Sequence, residues 1–406
     1  MKQLSVVLPA YAFDISGVCS AFYELGGLVV MHDASGCNSS YTTFDEPRWF
    51  ERDSMIYGSG LDETDAMLGG DDRLIDDTVR AAADLHPKFI AVAGGPVPMM
   101  IGTDFEGIAR VVERRTGIPT FGFFTNGTHV YTGGASMAFA ALAKRIAAGD
   151  FPKEDTHARP VRAAKPALNL LGVTPLDFST GENPRALRGF FESRGYPVVS
   201  VWAMGSTLAE LARAGEARVN VVAASCGLAA AKELRQAFGT PWVAGLPVGD
   251  AAGDALCALI DEAARGGENR VLQAVSVEPA GAAPTGGAPA LIVGEQVFAN
   301  SLRFCLAREY GIPGARAVCP LEPPEELLAP GDGDDAAEED IARAIAQSGL
   351  VFADPLYRHL LPQKNPPRFV EMPHEALSGR LFHDRVPCVI GGGIAAHLEK
   401  SGLAKP

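Results

Sequence analysis

Short runs of β-branched and apolar residues recur along this chain, and most are followed by a longer segment with a helical stripe. Residues 4–9, 28–33, 89–94 (FIAVAG) and 119–124 (PTFGFF) read as strands. Segments 72–86, 104–115 and 135–148 read as helices, the first with Leu74, Ile75, Val79, Ala82 and Ala83 in one stripe. Strands that alternate with helices in this way build parallel, doubly wound α/β sheets. The Pro- and charge-rich stretch FPKEDTHARPVRAAKP at 151–166 breaks the rhythm and reads as a linker. The pattern restarts with ALNLLGV (167–173), PVVSVW (197–202), VNVVAAS (219–225) and PWVAGL (241–246). A second linker, EPAGAAPTGGAP at 278–289, is flexible by composition. A third cycle follows: ALIVG (290–294), GLVFADP (349–355), RFVEMP (368–373) and PCVIGGG (387–393). Its acidic stretch GDGDDAAEED at 331–340 reads as a solvated loop leading into a helix. Three α/β domains are therefore expected, at 1–155, 165–280 and 288–406, each of ordinary domain size. Ligands of such sheets sit at the carboxyl ends of strands.

A compact chain of 406 residues buries roughly three-quarters of its unfolded surface and needs no disulfide staples. Lys and Arg number 35 against 49 Asp and Glu, a net charge of −14. That balance argues against nucleic acid, whose phosphates need clustered Lys and Arg, and against an anionic membrane surface. No apolar run approaches the about 20 residues of a membrane-spanning helix. The start, MKQLSVVLPAYAFD, lacks a signal-peptide core and cleavage site and reads as a first strand. The expected location is the cytoplasm, where the seven cysteines (19, 37, 226, 257, 305, 319 and 388) stay reduced. There is no CxxC pair, which argues against a zinc ribbon or a thioredoxin-like site.

Several common motifs are missing. There is no GxxxxGKS/T phosphate loop and no GxSxG elbow. PHEALSGRLFH at 373–383 lacks the second His of HExxH. GGGIAA at 391–396 fits G-x-G-x-x-A, but only ten residues follow it, too few for a dinucleotide site; a tight strand–helix turn is the better reading. What remains is SGVCSAFYELGGLVVMHDASGC at 16–37, with Cys19 and Cys37 on glycine-rich loops flanking a strand. Two thiolates are half of what a [4Fe–4S] cubane takes, and a two-fold dimer offers the same pair twice. Both cysteines also suit the plain role of small buried hydrophobes. Cys37, Cys226 and Cys319 each follow or end an apolar strand run.

The first domain resembles the nitrogenase component 1 family, which includes molybdenum–iron protein subunits, their cofactor-assembly scaffolds and dark-operative protochlorophyllide reductase subunits. The resemblance rests on SGVCSAFYELGGL with MHDASGC, on YGSGLDETDAMLGGDDRL at 57–74, on FIAVAGGPVPMMIGTDFEGIARVVERRTGIP at 89–119, and on VNVVAASCGLAAAKELRQAFGTPWV. It is strongest in residues 1–150 and diffuse after 280. It implies three Rossmann-like domains and a [4Fe–4S] cluster shared across a subunit interface, with Cys19 and Cys37 as its ligands from this chain. The family's third-ligand segment reads AVAGGPVPMMIGTD here, with Pro96 where a cysteine often stands. A second metallocofactor would call on a cysteine in the middle of the chain and a histidine near its end; Cys226 and His374 are the candidates. Cys226, at a helix start, would have a lowered pKa. His32 and Asp33 are candidates to orient or screen the cluster. Glu63 and Asp65 suit a helix cap better than a place near the cluster. Cys257, Cys305 and Cys388 read as core, and Cys319 has no evident partner. The function implied is the catalytic component of a nitrogenase-like reductase of unknown substrate, a homodimer or a heterodimer with a paralogous subunit. Its electron donor would be an ATP-hydrolysing iron protein. The alternatives are a metallocluster assembly scaffold and a cluster-free α/β binding protein.

Overall fold

The run Leu28–His32 is buried at all five positions, as a parallel strand covered on both faces must be. It is β1 of a computed structural model that describes residues 6–41, 45–153, 164–273, 289–333 and 337–406. The first sheet has the order β2-β1-β3-β4, all parallel, with β2 at Met55–Gly58, β3 at Ile90–Gly94 and β4 at Thr120–Phe123. Its helices are α1 (Asp14–Phe22), α2 (Ser35–Ser40), α3 (Glu63–Leu68), α4 (Asp71–Leu85), α5 (Pro96–Ile101), α6 (Phe105–Thr116) and α7 (Tyr131–Ala148). Alternate strand residues serve opposite faces. Leu28, Val30, Ile90 and Val92 pack with Leu74, Phe105 and Ile108 of α4 and α6. Val29, Met31, Ala91 and Ala93 pack with α1 and α7.

The second sheet has the order β6-β5-β7-β8-β9: β5 (Leu168–Leu171), β6 (Val198–Val201), β7 (Val219–Val222), β8 (Trp242–Ala244) and β9 (Arg270–Val271). It carries α8 (Pro175–Phe178), α9 (Asn183–Ser193), α10 (Leu208–Leu211), α11 (Leu228–Phe238) and α12 (Gly249–Gly266). The third has the order β11-β10-β12-β13: β10 (Ala290–Val293), β11 (Arg316–Val318), β12 (Leu350–Ala353) and β13 (Arg368–Glu371). Around it lie α13 (Gln296–Glu309), α14 (Glu338–Ala346), α15 (Glu375–Phe382) and α16 (Gly393–Lys400). Every pairing within the three sheets is parallel.

The sequence misleads at several places. Of the strand expected at 4–9, residues 4 and 5 lie outside the described residues and 6–8 form a bend. The backbone N–H groups of Val6, Val7 and Leu8 all donate to the Glu338 carboxylate at 2.8–3.0 Å, so they are not offered to a ladder. Residues 387–393 form no strand either: Asn183 takes the Pro387 carbonyl and the Val389 N–H, and only Gly391 makes an isolated bridge, to Val248. Strands β2 and β11 went unread because each is short and partly exposed. The linkers at 151–166 and 278–289 fall largely outside the described residues, as does the centre of the acidic stretch at 331–340.

Cys19 sits on a helix, not on a loop. The glycine two residues before it serves helix packing: a Cβ on Gly17 would lie 2.0 Å from the Tyr131 carbonyl oxygen, and one on Gly134 would lie 1.8 Å from that of Asp14. The two glycines let α1 and α7 touch backbone to backbone. Gly17→Ala is expected to cost about 1–3 kcal/mol by overpacking. Urea unfolding should show a lower midpoint at an unchanged slope; an unmoved midpoint would mean that the two helices part freely.

Candidate functional site

In each sheet the chain runs outward from its first strand to the second and then returns across it to the third. Switch points therefore open at the carboxyl ends of β1/β3, β5/β7 and β10/β12. Most of the candidate residues collect there.

At the first switch point β1 leads through Asp33 into α2, which carries Cys37, and β3 leads through Gly95 into α5. Cys37 is exposed, whereas Cys19 is 0% exposed on α1. Burial, and then the nearby Glu46, pushes the Cys19 thiol far above the ordinary range. Burial and Asp33 raise that of Cys37. Pro96 opens α5, a helix position that needs no N–H. Among the described residues no three His, Cys, Asp or Glu side chains converge into a group able to hold a metal ion. Asp33 is fully buried; one carboxylate oxygen accepts the Ala34 N–H at 2.7 Å and the other has no partner. His32 Nδ1 lies 2.8 Å from Ser59 Oγ, and its ring meets Phe105 edge-on. The cap of α3 is Asp62, which accepts the Asp65 N–H at 2.9 Å; the Asp65 carboxylate instead holds Arg73 at 2.7 Å. Glu63 stands beside them in the exposed first turn. The carboxyl edge of the same sheet also exposes Met67 and Leu68 of α3, and Met99, Met100 and Ile101 of the adjacent α5.

The other two switch points face one cavity of about 60 Å³. Its walls are mainly apolar, Phe178, Phe298 and Met372 among them, with Asp177, Glu295, Asp354, His374 and Tyr11 as the titratable lining. Tyr131, at the start of α7, donates to Asp177 Oδ1 at 2.5 Å, and Thr174 donates to Oδ2 at 2.8 Å. His374 Nε2 lies 3.4 Å from the Tyr131 hydroxyl and 3.7 Å from Asp177 Oδ1. Glu295 accepts the N–H groups of Ser225 and Phe298 at 2.8 and 2.9 Å. Asp354 accepts the His374 N–H at 2.8 Å and the Ser378 hydroxyl. Burial still raises both carboxyl pKa values, and Asp177 raises that of Glu295 further. The arrangement can hold protons beside an apolar space.

Cys226 corrects an expectation. Its thiol is 1% exposed and turned to the Gly172 carbonyl at 3.8 Å. Burial first, then Asp177 and Glu295, pushes its pKa well up rather than down; the short turn at the start of α11 does not outweigh them. Cys305 and Cys319 are buried, and Cys257 and Cys388 half-buried. Backbone N–H groups of Leu321 and Gln296 reach the Cys319 sulfur. Sequence reasoning missed Tyr11, Tyr131, Asp177, Glu295 and Asp354. The three acids follow the carboxyl ends of the first or third strand of their sheet, and scanning those positions for polar residues would have found them.

In metal-free protein a thiol reagent is expected to label Cys37 in the native state, and Cys19 and Cys226 only on unfolding. The Cys37 rate should keep rising with pH beyond the ordinary thiol range. Loss of the fast phase in Cys37→Ser supports this placement; its loss in Cys19→Ser instead contradicts it.

Residues 16–330 match the family model described as nitrogenase component 1 type oxidoreductase. One of the subunits of the light-independent protochlorophyllide reductase of Rubrivivax gelatinosus is 35% identical over 119 residues, 29% of this chain and 22% of that protein. The nitrogenase iron-molybdenum cofactor biosynthesis protein NifE of Methanosarcina barkeri is 25% identical over 199 residues, 48% of this chain and 42% of that one. The matched stretches thus span less than half the length of either relative. A solved structure titled nitrogenase Cp1 at pH 6.5 superposes over 99% of this chain and 94% of its own, with a TM-score of 0.67 at 16% identity, a likeness of fold. With three parallel sheets and a family model matched across most of its length, the chain belongs to the nitrogenase component 1 type oxidoreductase family.

Proposed function

We propose that this chain is the catalytic component of a nitrogenase-like reductase with three domains, at 1–155, 165–280 and 288–406. Electrons from an ATP-hydrolysing iron protein would pass through a [4Fe–4S] cluster, shared with an identical or paralogous chain, to a substrate in the interdomain cavity. The observation that carries the reading is the carboxyl edge of the first sheet. That edge carries an exposed cysteine, Cys37, and also exposes Met67, Leu68 and Met100, each by more than three-quarters. Apolar surface of this kind marks an interface.

On this reading Cys19 and Cys37 would supply two thiolates, Pro96 none, and a second chain the other half of the cubane. Both thiols would have to release their protons to solvent as iron binds, which buried Cys19 does at the greater cost. Bound there, the cluster supplies one-electron transfer. At the cavity wall Tyr131 donates to Asp177 and lies 3.4 Å from His374 Nε2, which is 3.7 Å from Asp177 Oδ1, so the three side chains would form a route for protons. The apolar walls exclude water from that route. A second metallocofactor does not fit: Cys226 faces Gly172 outside the cavity lining, and the space is about 60 Å³. The absence of any disulfide among the seven cysteines suits a reducing cytoplasm. Among the described residues no helix is long and apolar enough to cross a membrane. The longer match to the cofactor biosynthesis protein favours one second reading, a scaffold that carries a cluster during assembly.

Anaerobic protein mixed with ATP and a dithionite-reduced nitrogenase-type iron protein is expected to take up electrons, read as oxidation of the iron protein. Uptake should need ATP and vanish in Cys37→Ala. No uptake contradicts the reductase reading. Stoichiometric transfer of the cluster to an apo-acceptor, without turnover, would replace it with the scaffold.

A further inference from the structure

A second cavity, of about 220 Å³, lies beneath the first sheet between β1, β2 and α4, on the face away from α1 and α7. A dry engineered cavity of about 150 Å³ takes up benzene, so this one has room for a small substituted ring. Its floor is Leu28, Val30 and Leu74. Two buried polar side chains reach it with hydrogen-bonding capacity left over. Thr78 is 2% exposed and its hydroxyl has no partner, although a helical threonine commonly bonds back to its own helix. His32 is 3% exposed; Nδ1 pairs with Ser59 and Nε2 has no protein partner. Unmet buried polar groups cost stability, and in a native fold each calls for an explanation.

The charge around the cavity restricts what enters. Arg73 is already shared by Asp62 and Asp65 at 3.0 and 2.7 Å, with Asp77 at 3.8 Å. One guanidinium among three carboxylates leaves the mouth negative, which repels anions. The groups facing His32 are Asp33, Asp65 and Asp71; burial outweighs their pull and lowers its pKa, so the ring is neutral and gives no cationic anchor either.

We propose that this cavity, which shares His32 and Asp65 with the cysteine edge and is separate from the cavity between the second and third sheets, is a ligand site for a compact uncharged nitrogen heterocycle or aromatic carboxamide. Its ring lies on Leu28, Val30 and Leu74, and its polar edge meets His32 Nε2 and Thr78 Oγ1. The site stands whether or not the chain carries a cluster.

Three planar probes of similar size test it on the full chain: nicotinamide, its anionic isostere nicotinate, and cationic 1-methylnicotinamide. Saturation-transfer NMR and calorimetry should show nicotinamide binding at least tenfold tighter than nicotinate, which the negative mouth repels, and tighter than 1-methylnicotinamide, whose methylated ring nitrogen cannot accept a hydrogen bond; 1-methylnicotinamide binding as tightly as nicotinamide would contradict a site for uncharged ligands. Thr78→Val, which keeps the shape and removes the hydroxyl, should weaken nicotinamide binding at least tenfold while leaving the unfolding midpoint unchanged or raised. Ala81→Met, which fills the cavity, should abolish binding. The proposal is overturned if nicotinamide does not bind, if both variants bind it as the wild type does, or if nicotinate binds equally well.

Discussion

One carboxylate joins two of the three sheets. Glu295 ends the first strand of the third sheet and caps α13 through the Phe298 N–H, while its other oxygen accepts the Ser225 N–H from the second sheet. A buried charge is costly unless it is paired or hydrogen-bonded, and one backbone donor at the start of a 14-residue helix and one from the second sheet supply that compensation. The same device recurs where loops must be fixed. Asp14 accepts the N–H groups of Ile15, Asn126 and Gly127, and Asp354 those of Leu356 and His374. Glu338 gathers three from the N-terminal segment. The cavity owes its shape to these bonds, because they set where each strand end stops.

The molecule then divides its labour by sheet. The first presents an exposed cysteine on an edge that also exposes apolar side chains, the surface proposed above for another chain. The second and third close on a space lined by acids, a histidine and tyrosines. Helix α7 links the two regions: Gly134 packs on α1 beside the cysteine region, and Tyr131, at the other end of the same turn, donates to Asp177 at the cavity. Electron entry and proton supply would therefore share a rigid element.

Much of the fold was legible because fully buried parallel strands are apolar runs with little alternation, and β1, β3, β5, β7, β10 and β12 are of that kind. Edge strands β2 and β11 lack that signature and escaped. PCVIGGG looked like a strand by composition, yet Asn183 satisfies its backbone. The cysteine candidates came from local motifs, which one window of sequence contains. Asp177, Glu295, Asp354 and His374 are separated by up to 197 positions (374 minus 177) and meet only because the sheets pack together, which no local pattern reports. Gly17 was visible, but its reason was not: it answers to α7, far along the chain.

The proposal of a shared cluster is tested most directly by iron and acid-labile sulfide per chain after strictly anaerobic purification, in the wild type, Cys19→Ala and Cys37→Ala. About two irons and two sulfides per chain, one cubane between two chains, with both lost in either variant, is the expected result. A wild type that folds and dimerises without iron, or iron retained in both variants, would contradict it.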